Sequence, residues 1–255
     1  MIRRFDIYNA ANEHYNLNDL ENFFHSVEGL GYGKKVTTEQ IGTTFQIIAE
    51  KNEQIKVSGK IRFKKPDAYA KYEAFYSFLQ KTPLRLEYAP YDKAYSLDCI
   101  VTECEKKELT RNSLEVEIEF TGFDLWYRKI KKTGDTTVTI VSDTEILSPC
   151  KFTITAADAS KSPGWNHTYI NSSGGNTTVT GRINGTVTKG TRLLSNTEAI
   201  PYELRKDDAS NKISMYEVSD FSTQRFFFLH KGKNVFTGVN VSKIEVEAML
   251  KYETV

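Results

Sequence analysis

The residues able to do chemistry are few and scattered. Four histidines, His14, His25, His167 and His230, stand in unrelated contexts, and neither an HExxH pair nor a Cys/His cluster occurs. A metal centre needs ligands at short, matched spacings, so none is expected. The three cysteines, Cys99, Cys104 and Cys150, cannot all pair and form no CxxC, so they read as free, reduced thiols on or near strands. Cys99 or Cys104 beside a histidine could act as a nucleophile, but buried structural thiols are far commoner in such strands. Ser26, Ser58 and Ser148 lack the GxSxG context of an activated serine. Carboxylates abound, yet no pair sits in apolar surroundings that would raise one pKa, and Asp207-Asp208 reads as a turn. Gly29, Gly31 and Gly33 allow unusual backbone angles, but their spacing is not GxGxxG and no helix follows. The expectation is a protein with no catalytic residue, cofactor or metal.

One binding candidate remains. Trp165, in Ser-Pro-Gly-Trp-Asn-His, could stack on a sugar ring if exposed on a loop. The commoner role is an anchor tucked into a sandwich edge. Five Asn-x-Ser/Thr sequons begin at Asn166, Asn171, Asn176, Asn184 and Asn240. The N-terminal run Met-Ile-Arg-Arg-Phe-Asp-Ile-Tyr carries no apolar signal core, so these are expected to be turn and strand composition in a soluble protein made in a cytoplasm.

The elements that must position these residues are mostly strands. Residues 1–8 form a strand, followed by a loop with Asn16, Asn18 and Asp19. Alternation at Phe45, Ile47 and Ala49, a turn at Lys51–Gln54, and alternation at Ile55, Val57, Gly59, Ile61 and Phe63 predict a hairpin over 43–63. Residues 66–80 predict one helix. Pro66 stands in its first turn, Asp67 puts a negative charge near its N-terminus, and Tyr69, Tyr72, Phe75, Tyr76 and Leu79 form an apolar stripe. Strands resume at 84–88 and 97–103. Glu105–Asn112 reads as a charged hairpin tip before the strict alternation of 114–120, whose glutamates 115, 117 and 119 face away from the core.

The basic run Arg128–Lys132 with Thr133-Gly134-Asp135 reads as a solvated linker. It divides the chain into domains 1–132 and 133–255. The second is rich in Thr, Ser, Asn and Gly, with strands at 138–141, 151–155, 225–229 and 244–252 and a turn at 171–176, and reads as a β-sandwich or jelly roll. The fold class is therefore mainly β. With 34 basic and 33 acidic residues the formal charge is +1, which disfavours nucleic acid as a partner and permits self-association. No run approaches the roughly 20 apolar residues of a membrane helix, so no membrane insertion is expected.

This order of elements resembles the distal tail protein (Dit) family of siphophages. Three features carry the resemblance: Tyr15-Asn16-Leu17-Asn18 leading to Glu28-Gly29-Leu30-Gly31-Tyr32-Gly33; the hairpin, Pro66-initiated helix and strand ending in Leu84-Arg85-Leu86-Glu87-Tyr88; and the Asn/Thr-rich all-β second half. The resemblance implies a homo-hexameric ring at the lower end of the tail tube, built by a barrel-like N-terminal domain. It also implies a galectin-like C-terminal sandwich that docks baseplate or receptor-binding proteins. The implied partners are the tail tube protein and the tail-associated lysin or spike hub, with DNA passing through the lumen without specific binding. The location would be the virion tail tip. Two alternatives stand beside it: a glycan-binding module acting through the C-terminal sandwich, and, last, a cell-wall hydrolase, for which no acid/base pair is evident.

Overall fold

The computed structural model describes residues 3–18, 22–31, 33–41, 44–158, 162–185, 187–206, 214–215, 220 and 226–255. Asp19, Tyr32 and the Asp207-Asp208 turn lie outside them. The chain forms two compact units, Met1–Tyr127 with Tyr252–Val255, and Arg128–Lys251.

The N-terminal unit contains β1 (Arg4–Tyr8), β2 (His14–Asn16), β3 (Asn22–Glu28), β4 (Lys34–Ile41), β5 (Thr44–Asn52), β6 (Lys56–Phe63), α1 (Ala68–Leu79), β7 (Leu84–Ala89), β8 (Tyr95–Thr110), β9 (Ser113–Gly122) and the start of β10 (Trp126–Gly134). Its antiparallel sheet runs β2-β1-β7-β8-β9-β6-β3. Residues just after β2 return to β3: Phe24 N–H donates to the Leu17 carbonyl at 2.9 Å, and Asn18 bridges Phe23. The two ends of the sheet thus meet, and the body is barrel-like.

Period-two alternation fills this barrel. In β6, Val57, Gly59, Ile61 and Phe63 turn inward between half-exposed polar neighbours. Phe5, Leu17, Phe24, Leu86, Leu97, Val116 and Phe120 complete the core. The helix packs its Phe75 ring 4.8 Å from Tyr15 and 5.6 Å from Phe63.

Several expectations change here. The helix spans Ala68–Leu79, so Pro66 lies ahead of it rather than in its first turn. The cap is Asp67, at φ 61°. Its buried residues are Ala68, Phe75, Phe78 and Leu79, whereas Tyr69 and Tyr76 are 40% and 46% exposed. A tyrosine can lie half in water because its hydroxyl is polar, so ring spacing alone misplaced the stripe. The hairpin over 43–63 does not form. β5 pairs with β4, and β6 pairs with β3 and β9, because sequence neighbours need not be sheet neighbours. The basic run read as a linker is strand β10. Arg128 bonds Asp143 at 3.2 Å and Lys131 bonds Glu247 at 2.6 Å, so two of its cations are paired with partners distant in sequence.

The C-terminal unit adds β11 (Thr137–Ser142), β12 (Ser148–Ala156), β13 (Gly164–Ile170), β14 (Asn176–Arg182), β15 (Arg192–Asn196), β16 (Glu203–Lys206), β17 (Phe228–Leu229), β18 (Gly232–Val239) and β19 (Val241–Tyr252). One sheet runs β16-β15-β12-β19-β10, the other β11-β18-β13-β14. Phe152 of the first meets Trp165 and Phe236 of the second at 5.7 and 5.2 Å, with Phe227 wedged against all three. The chain is mainly β, with a barrel-like unit and a β-sandwich.

Candidate assembly surfaces

The outward face of β6, β9 and β8 is a charged ladder, set by register. Lys60 lies opposite Glu117 and Arg62 opposite Glu115, while Glu103 and Glu105 of β8 lie opposite Glu119 and Glu117. Lys56 Nζ reaches Glu119 Oε1 at 2.8 Å, Lys60 Nζ reaches Glu117 Oε1 at 2.5 Å, and Arg62 Nη2 reaches Glu115 Oε2 at 3.1 Å. Hydrogen bonds from the lysines hold the Glu117 and Glu119 carboxyls below their ordinary range and raise Lys56 and Lys60 in return. Such exposed pairs stabilise little; what they set is the charge of the surface. Glu28, Glu103 and Glu105 tip that balance to acidic, with Glu28 and Glu103 beside the paired Lys60 in one shallow groove. Glu115 faces outward with Glu117 and Glu119 but is hidden from water by its neighbours. It is 8% exposed, covered by Arg62 and His25.

The second feature is the two-stranded ribbon β4–β5, which pairs with no other strand among the described residues. Val36 and Ile47 on it are 45% and 65% exposed. A two-stranded ribbon by itself is marginal in water and exposes the edge groups of its strands. Sequence reasoning missed it. The available signal was the two-residue connection Gly42-Thr43 between β-type runs.

The chemical candidates are placed as follows. His14 bonds Asp6 at 2.8 Å, and His25 stands 3.8 Å from Glu115. The fold brings His167 and His230 to 6.1 Å between ring centroids, with Tyr169 stacked on His230, which their sequence separation hid. No group of three metal-ligating side chains forms among the described residues. Burial pushes the Cys99 and Cys150 thiols up to about 12 and raises Cys104, the opposite of activating a thiolate. Ser58 lines the charged groove, Ser26 shares it, and Ser148 is buried in β12, its hydroxyl donating to the Ile146 carbonyl at 3.1 Å. Trp165 is a correction: it lies within β13, not on a loop, and is 1% exposed. The missing Cβ of Gly181 leaves room for its indole, because a methyl there would stand 2.3 Å from the ring. No face is left for a sugar.

Residues 4–123 match the family described as distal tail protein, N-terminal domain. The whole chain has the fold of a chain of the phage P2 baseplate in its activated conformation with calcium, at 14% identity, TM-score 0.62 and full coverage of both chains. It also matches SPP1 Dit, whose structure is described as a paradigm of the hub adsorption apparatus in Gram-positive infecting phages. There the identity is 8% and the TM-score 0.68, over 97% of this chain and 99% of that one. No curated protein matches the chain.

Proposed function

We propose, from the match of residues 4–123 to the distal tail protein family's N-terminal domain, that six copies of the chain close into a ring at a phage tail tip. The ring continues the tail tube above and carries the adhesion device below. The observation that carries the reading is the N-terminal unit itself, a barrel-like body with the ribbon β4–β5, which pairs with no other strand among the described residues. A ribbon of one copy laid against the body of the next makes a head-to-tail contact. Such a contact, repeated about an axis, closes into a ring. The acidic excess on β6, β9 and β8 suits the wall or rim of a channel that DNA must pass without being held, since phosphate binding needs cations.

In this reading the C-terminal sandwich is a galectin-like docking module for baseplate or receptor-binding proteins. The neighbours are the tail tube protein and the tail-associated lysin or spike hub. The chain acts in the virion, after synthesis in the host cytoplasm, and needs no catalytic residue or cofactor. Light scattering and negative-stain microscopy of the full chain test the ring, alone and with its tail-tip neighbours. The expected result is an annular particle of six times the monomer mass. A chain that stays monomeric under both conditions overturns the proposal.

A further inference from the structure

The two outer faces of the C-terminal sandwich differ in kind. On the β10, β19, β12 and β15 side the charges satisfy one another: Lys131 pairs with Glu247 at 2.6 Å, and Glu245 takes both Arg192 at 3.0 Å and Lys243 at 3.1 Å. On the other side, the register of β11, β18, β13 and β14 lines up a row of Thr139, Val235, Thr168 and Thr178 across the sheet. The Thr168 and Thr178 hydroxyls bond each other at 2.8 Å, and Thr180 donates to Asn166 in the next row at 3.1 Å. Val141, Ile170 and Val239 on this face are 66%, 45% and 40% exposed. By the alternation of each strand, no carboxylate and no aromatic ring stands at an outward position.

Two cations do, at separate ends of the face. Lys233 lies opposite Val141. Arg182, opposite Gly164, gives its Nη1 to the carbonyls of Trp165 and Gly181. Neither forms an ion pair among the described residues, although Asp220 N–H donates to the Arg182 carbonyl at 3.2 Å.

We propose that this face of β11, β18, β13 and β14, free of acidic side chains and charged only at its two ends, is where the C-terminal unit docks a partner protein, one presenting a flat apolar face rimmed by carboxylates. The proposal rests on the tail-hub reading, which supplies the partner as a tail-tip neighbour. Interface centres are depleted of charge. Threonine, valine and isoleucine are stiff at χ1, so ordering them on contact costs little entropy. Lys233 and Arg182, neither in an ion pair, set the sign of the partner's rim. They also disfavour a second copy docking through the same face, which would set cation against cation. A polysaccharide fits less well, because stacking on sugar needs an exposed aromatic ring and this face has none.

Hydroxyl-radical footprinting read by mass spectrometry tests it, on the purified chain and on intact phage particles containing it. Val141, Ile170 and Val239 should label readily in the free chain and severalfold more slowly in the particle. A Thr139→Asp/Val141→Asp variant, with melting unchanged, should lose that protection. Equal labelling of this face in both states, with Val36 and Ile47 protected in the particle, overturns the docking face and leaves the hub reading standing. Absence of the chain from the particle overturns both. Protection of the free chain by purified cell-wall polysaccharide overturns the choice of a protein partner.

Discussion

At the scale of single residues, burial decides what the titratable groups do. His167 is fully buried, its Nε2 3.0 Å from Asn234 Oδ1, and burial pushes its pKa down to about 4. The unfolded chain, with an ordinary histidine near 6.5, therefore takes up the proton first as pH falls. The stability owed to neutral His167 is fully present above pH 6.5 and is lost as pH falls toward 4, by about 3 kcal/mol in all. Urea titrations at pH 7.5 and 4.5 should show the wild type losing more stability across the interval than His167→Gln; equal losses contradict the assignment. Gly29 is a second case. It sits at φ 78°, where a Cβ would fall 1.7 Å from the Lys56 carbonyl oxygen. Gly29→Ala should cost more than about 1 kcal/mol, whereas at Gly31 the nearest atom is 3.6 Å away and its alanine variant should melt with the wild type.

At the scale of elements, the helix and the ribbon make opposite predictions. Phe75 is fully buried between Tyr15, Phe63 and Phe78, so Phe75→Ala should cost about 3–5 kcal/mol in chemical denaturation. Exposed Ser77 on the same helix should tolerate alanine within about 0.5 kcal/mol. Similar costs at both positions would show the wrong face assigned to the core. The ribbon should behave in reverse. Ile47, 65% exposed, contributes little to the monomer, so Ile47→Asp should leave the melting temperature unchanged. It should abolish the ring in light scattering if β4–β5 is the contact between copies, and intact rings from this variant would place the contact elsewhere.

At the scale of the molecule, the chain leaves the N-terminal unit after Tyr127 and returns to it at Tyr252. Tyr252 meets Tyr95 edge to face at 4.9 Å, and Val255 packs on the barrel core. A fragment ending at residue 132 therefore lacks part of its own unit. Deleting 252–255 should speed hydrogen exchange in β7 and β8 while leaving β12, β13 and β18 protected. Unchanged exchange in β8 would show the returning segment to be dispensable.

Local pattern was enough for much of this. The alternation in β6, β9 and β19 announced strands with one buried face, because the side-chain period of a strand is a property of the backbone. Helix α1 and the Asn171 turn were likewise legible, the latter because an asparagine carbonyl can accept the backbone amides of Ser173 and Gly175 without help from the rest of the fold. Pairing was not legible. That β5 joins β4, that β10 is a strand, and that Glu115 is buried all depend on which distant strand lies alongside, and many partners satisfy the same alternation. Trp165 shows the limit most clearly. Its neighbours in sequence suggested a loop, and only the packing of Phe152, Phe227, Phe236 and Gly181 around it made the ring part of the core. Burial is a sum over contacts from residues far apart in the chain, so it exists only once the tertiary structure has formed.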